Sequence, residues 1–341
     1  MIWLMDVHIT RGVQWTLFKN LSKLEDLELM QTDATSLGTD FRNNVSPKLT
    51  KLFMVCTKTV KLEKNAFANL KSLSVLQIRN STIKILKRIY LNYVLGDDCP
   101  PAKLILPCIC EVFIQPTIFC LNIEKPEFIS DMVDKTGGMK FRRFLLADSS
   151  FTYLPTSALI SEKFEILAVY NSTFVSLFDK PPSIKNSLSE MWLMDVHIAR
   201  GIEWNLFKNL NKLDDLKLFH TEVITLEKDF ETNVSPKLTS LFMIKTNTAK
   251  LGKSVFANLK SLSELHIRNS TIKILKRSMF AKPAAIQSFN FESNQIEFLP
   301  DDIFSDMPHL REVVLSNNKI SILKEAPFTA VLKIVQILVL E

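Results

Sequence analysis

Residues 262–275 read LSELHIRNSTIKIL, and residues 310–323 read LREVVLSNNKISIL. Both put apolar anchors at positions 1, 4, 6, 11 and 14 and a small polar residue at position 9. Position 1 recurs roughly every 24 residues, at Phe141, Phe164, Leu188, Leu213, Leu238, Leu262, Ile286, Leu310 and Val335, and earlier at Leu24, Leu49 and Leu73. Positions 4 and 6 are two apart, so in an extended segment they share one side. Positions 11 and 14 turn the chain back over that side. A phenylalanine (Phe41, Phe67, Phe230, Phe256, Phe280 or Phe304) then closes the unit. One such unit cannot bury its own apolar face. Stacked units share a continuous core, and their strands line up as a parallel sheet.

The pattern L-x-x-L-x-L-x-x-N-x-I-x-x-L resembles the leucine-rich repeat. That resemblance implies an α/β leucine-rich-repeat solenoid with a parallel β-sheet on its concave face. Strands are expected at each position 4–6 pair, from 144–146 to 338–340. Position 9 usually carries Asn, and here only Asn294 and Asn318 keep it. Thr32, Thr57, Ser81, Ser149, Ser172, Thr221, Thr246 and Ser270 stand at the same place elsewhere, where a hydroxyl is expected to make part of the Asn bonding.

A larger repeat overlies the small one. Residues 3–88 align without gaps on residues 192–277, with about two thirds of positions identical. Between the blocks lie Cys99, Cys108, Cys110 and Cys120, a spacing that suggests either disulfides or a metal site. It fits zinc poorly, because zinc knuckles favour closely spaced cysteine pairs, so disulfides are the expectation. Sequence alone allows three pairings. The segment CPPAKLILPCICEVFIQPTIFC (residues 99–120) resembles the N-terminal cysteine cap of extracellular leucine-rich-repeat proteins. Together with F-x-N-L-x-x-L segments such as residues 256–262, it is similar to secreted arthropod leucine-rich-repeat proteins. The resemblance implies the bonds Cys99–Cys110 and Cys108–Cys120, a secreted binding protein and, in one branch, a non-catalytic accessory subunit of an enzyme. The expected organisation is a partial repeat block at 1–88, a linker at 89–98, the cap at 99–140 and a repeat array at 141–341. A cap in mid-chain and an end in mid-repeat read as two incomplete neighbouring copies joined. The last apolar strand is then expected to promote self-association.

The 341 residues carry 7 glycines, which disfavours glycine-rich phosphate loops. The formal charge of +6 is scattered between apolar anchors, so nucleic acid is not an expected partner. No stretch approaches the roughly 20 apolar residues of a membrane span. Residue 1 does not open a signal peptide, although residues 87–96 have a basic start and a short apolar run. An extracellular location is expected from the cysteine cap. N-glycosylation is expected at Asn80, Asn171 and Asn269. Cys56 faces Lys245 in the alignment of the two blocks and is expected to be exposed.

No catalytic motif is present, so neither enzyme activity, nor a cofactor, nor a metal is expected. His220 and His266 lie two repeats apart and read as surface histidines. Function is expected instead at positions 5 and 7, which flank anchor 6 and point away from the core. There Tyr170, Trp192, Met194, Phe219, Phe242 and Ile244 fall on four adjacent strands, rimmed by Asp195, Lys217, His220, His266 and Arg268. Exposed positions are normally polar, so this row reads as a concave binding patch for a protein partner. Packing against another part of the same chain, such as the first block, or against a second copy is the alternative. The basic runs at 83–88 and 272–277 carry a weaker expectation of polyanion binding.

Overall fold

A computed structural model describes residues 2–5, 13–30, 36–55, 61–62, 66–73, 75–79, 99–112, 116–322 and 324–340. The chain divides into two compact units, Met1–Tyr93 and Val94–Glu341.

The first unit is a parallel sheet of β1 (Ile2–Met5), β2 (Asp26–Met30), β3 (Lys51–Val55) and β4 (Val75–Arg79). The register Ile2–Leu27–Leu52–Leu76 and Leu4–Leu29–Met54–Ile78 keeps positions 4 and 6 in line. Leu27, Leu29, Leu52 and Met54 are buried, and Trp15, Phe41 and Phe67 meet edge to face behind them.

The second unit opens on an antiparallel hairpin of β5 (Ile109–Val112) and β6 (Pro116–Leu121). Parallel strands follow: β7 (Phe141–Ala147), β8 (Phe164–Phe174), β9 (Glu190–Ile198), β10 (Asp215–Phe219), β11 (Ser240–Ile244), β12 (Glu264–Arg268), β13 (Ser288–Asn290), β14 (Glu312–Val314) and β15 (Ile337–Val339). With the short strand Ser150–Phe151 beside β8, they make one twelve-stranded sheet. One line of partners runs Phe144, Leu167, Met191, Leu216, Leu241, Leu265, Phe289, Val313 and Leu338, which is position 4 of every repeat. The strands thus stand where the anchor spacing places them. Behind the sheet, Trp204, Phe230, Phe256 and Phe280 touch ring to ring from repeat to repeat.

Position 8 of each repeat from β7 to β14 is left-handed: Asp148, Asn171, Asp195, His220, Lys245, Asn269, Ser293 and Asn317 all have φ between 39° and 55°. Short polar side chains tolerate this conformation best, which suits most of these residues. Position 9 then ties neighbouring turns together. Asn294 donates to the carbonyls of Ile267 (2.7 Å) and Phe291 (3.0 Å) and accepts from the Ile272 amide (3.1 Å). Hydroxyls do part of this. Ser172 Oγ donates to Tyr170 O and accepts from the Ser149 amide, and Thr221 Oγ1 donates to Phe219 O and accepts from the Val196 amide. Val196 itself stands at position 9 and offers no polar group. There β8 and β9 run on past the turn, pairing Ser172 with Val196 and Phe174 with Ile198, so backbone bonds replace the missing side chain.

The cap is bonded Cys99–Cys110 and Cys108–Cys120, the pairing implied by the family resemblance. Its strand β6 sets Ile118 beside Phe144 and Cys120 beside Leu146, all buried, and so covers the apolar end of the first repeat. The helix Pro126–Lys135 adds Ile129, Met132 and Val133 to that cover. Cys56 and Asn80 lie outside the described residues.

One expectation is corrected here. Arg277, the end of the second basic run, is 2% exposed. Its guanidinium donates to the carbonyls of Ser305, Phe280 and Ala281, and its Asp306 carboxylate contact is at 3.9 Å. A guanidinium that satisfies backbone carbonyls is a structural clamp and is not offered to a polyanion. Of that run Lys273, Ile274 and Lys276 are exposed, and residues 83–88 lie outside the described residues.

Asn294→Ala should cost about 1–3 kcal/mol or more in urea denaturation, because several buried backbone groups lose their partner. Ser270→Ala should cost less, since its hydroxyl contacts, at 3.4 and 3.5 Å, are long. Replacing Cys108 and Cys120 by Ala should cost about 2–5 kcal/mol in the same assay.

Candidate functional site

Positions 3, 5 and 7 face away from the core and form three rows across the second sheet. Position 5 runs Ala168, Trp192, Lys217, Phe242, His266 and Asn290. Position 7 runs Tyr170, Met194, Phe219, Ile244 and Arg268. Position 3 runs Glu190, Asp215, Ser240, Glu264, Ser288 and Glu312.

The middle row is open at Trp192, Lys217, Phe242 and His266. Trp192 and Phe242 are half-buried and flank Lys217. The Lys217 ammonium lies 4.8 Å from the Trp192 ring centre and 5.9 Å from that of Phe242, and it donates to Asp215 Oδ2 at 2.7 Å. The Arg143 guanidinium reaches Trp192 from β7, also at 4.8 Å, across the fully buried Ala168. Trp192 is thus an aromatic held between two cations. Among the described residues, Trp192 Nε1 and Asp215 Oδ1 have no hydrogen-bond partner.

Phe242 packs on the His266 ring at 4.4 Å. His266 Nε2 meets Ser288 Oγ at 2.7 Å, and Ser288 Oγ donates to Glu312 Oε2 at 2.5 Å. The serine has one proton, and it goes to the carboxylate. His266 Nε2 therefore carries the hydrogen in that contact. Burial, and secondarily Arg268, lower the His266 pKa to about 4, so the ring is neutral at pH 7. Glu190 and Asp214 are raised above the ordinary carboxylate range, first by burial and then by the nearby Asp215 charge.

The row at position 7 differs from expectation. Tyr170, Met194, Phe219 and Ile244 are only 2–3% exposed, although they point away from the core. Alternation fixes the side of a sheet and not its exposure. Large side chains in register on strands about 4.8 Å apart cover one another's flanks. The accessible part of the expected patch is therefore Trp192 and Phe242. Of the expected rim, Lys217 and His266 belong to the middle row itself. Asp195 pairs with His220 at 2.9 Å, and Arg268 with Glu292 at 3.4 Å, along the far margin. The acidic row at position 3 was not anticipated, although the same alternation that picked out positions 5 and 7 also points to it. Among the described residues no group of three or more His, Cys, Asp or Glu side chains is placed to hold a metal, and no helix is long and apolar enough to cross a membrane.

This register, with a strand, a left-handed turn and a laddered position 9 in each unit, defines a leucine-rich-repeat solenoid. The sequence matches the BspA type leucine rich repeat region in six copies over residues 10–96 and 230–340, and the chain belongs to that family. No curated protein matches the chain. Among solved structures it is similar to a Leptospira interrogans LRR protein (16% identity, 95% of this chain and 86% of that one, TM-score 0.44). It is also similar to the plant peptide hormone receptor RGFR1 in complex with RGF2 (16%, 100% and 54%, 0.39). A further match is the Drosophila Toll–Spatzle complex (15%, 91% and 43%, 0.39).

Leu193→Ala, one residue from Trp192 but in the core, should destabilise the unit by about 2–5 kcal/mol. Trp192→Ala should cost clearly less, and equal melting temperatures would place Trp192 in the core. A pH effect should also be visible. The unfolded chain takes up the His266 proton near the ordinary 6.5 and the folded chain only near 4, so stability falls as pH drops through that window. The raised carboxyls of Glu190 and Asp214 work the other way. His266→Asn should therefore lose less stability than the parent between these pH values, measured by urea denaturation.

Proposed function

We propose that this chain is an extracellular, non-catalytic binding protein whose second concave face docks a protein partner on Trp192 and Phe242. The observation that carries this reading is the half-exposed aromatic pair on β9 and β11, one strand apart, with charged groups gathered around it. Trp supplies large contact area at small entropic cost, and such residues dominate binding energies. The buried Tyr170, Met194, Phe219 and Ile244 form the floor beside them, and Asp195, His220 and Arg268 a polar margin. Residues 99–140 act as the cap and residues 141–341 as the array. The two disulfides support an oxidising compartment. Asn171 and Asn269, both exposed at turns, are the proposed glycan sites.

A second reading rests on the cap. Its likeness to secreted arthropod leucine-rich-repeat proteins, among them the non-catalytic subunit of Oplophorus luciferin monooxygenase, supports an accessory role beside a catalytic chain. Both readings use the same face.

A displayed library of random peptides selected on the full chain tests the proposal. Selected peptides should lose at least roughly tenfold in affinity for Trp192→Ala, the loss of a hot spot. Peptides that bind Trp192→Ala as well as the parent would overturn it.

A further inference from the structure

The duplication gives the chain an internal comparison. Between residues 3–88 and 192–277, every side chain at positions 4 and 6 is identical, from Leu4 and Leu193 to Ile78 and Ile267. The aromatic frame is identical too: Trp3 and Phe53 occupy the register positions of Trp192 and Phe242. The charges around that frame are not. Lys217, between the aromatics, has Glu28 at its register position. Ser240 and Glu264 on the margin have Lys51 and Val75, and His266 has Gln77. Two further concave positions exchange one apolar residue for another. Six of the eleven concave positions therefore differ, while none of the seven anchors at positions 4 and 6 behind them does.

The physical result differs between the two sheets. In the first, the margin neutralises itself, with Lys51 bonded to Asp26 at 3.3 Å. In the second, position 3 carries Glu190, Asp215, Glu264 and Glu312 and not one lysine or arginine from β9 to β14. Asp215 is held by Lys217 from the neighbouring row. Burial first, and the Asp215 charge second, hold the Glu190 carboxyl above its ordinary range. The chain as a whole is cationic at +6, so this acidic margin runs against its average.

We infer that the two sheets present one aromatic frame with different charge layouts, and that the second selects a basic peptide segment. That segment would lay lysine or arginine side chains along Glu190, Asp215 and Glu264 and an apolar side chain on Trp192 and Phe242. The first sheet, with its margin neutralised, does not take the same segment. Charge layout of this kind sets specificity and association rate. The inference rests on the concave-face reading above.

The selected peptides test it. Those that depend on Trp192 should be rich in lysine and arginine, and they should weaken as salt rises. Grafting the first margin onto the second sheet, with Ser240→Lys and Glu264→Val, should weaken them roughly tenfold or more. The core is untouched by the graft, and circular dichroism checks that it folds. If it does not, the exposed single change Glu264→Val should still weaken binding measurably. Trp192-dependent peptides that are acidic or uncharged would overturn the inference and leave the concave reading standing. So would basic peptides that bind the graft, or Glu264→Val, as tightly as the parent. Peptides indifferent to Trp192 would remove both.

Discussion

Each repeat of the second unit turns at a left-handed residue, and the buried amide and carbonyl groups of that turn must find partners inside the stack. The left-handed residue at position 8 turns the chain, and position 9 supplies the bonds. An amide side chain does this best, as at Asn294, because it can donate twice and accept once across two repeats. A hydroxyl covers less, and a valine covers nothing. The rest of the solenoid follows from this constraint. Once neighbouring turns are tied, the anchors at positions 4 and 6 are in register, and one apolar core can pass from the cap through the repeats.

That core was legible in the sequence because its signal is geometric. Residues two apart share a side of a strand, and the recurrence of Leu265 and Ile267, or Val313 and Leu315, leaves little choice of register. The disulfide pairing was not legible from spacing, and it came from the likeness of the cap to known ones. The replacement of a side-chain bond by longer strands at Val196 was hidden for another reason. Nothing in a lone valine says that its neighbours will extend.

The candidate site was read less completely. Alternation placed Tyr170, Met194, Phe219 and Ile244 on the correct side of the sheet, but it carries no information about what lies over a side chain, and these four are closed to solvent. It said equally little about Arg277, whose place in the run IKILKR suggested an exposed cation while four residues of turn geometry wrapped it in carbonyls. The acidic row carries a weaker signal, because glutamates on an outward face look ordinary until their sign is summed along the row, whereas apolar side chains there are conspicuous.

The long pairing of β8 with β9 bears on binding as well as on folding. Trp192 stands on β9, which is bonded to its neighbour on both sides of the turn, and Arg143 and Lys217 brace the ring from either flank. Such a ring has little freedom left to lose when something docks on it. Affinity at this point is then governed by how well an incoming surface matches a shape already set, and much less by the cost of arranging the receiving side. On the proposed reading, a partner would meet this ring already in place, and little ordering of the receiving side would be needed.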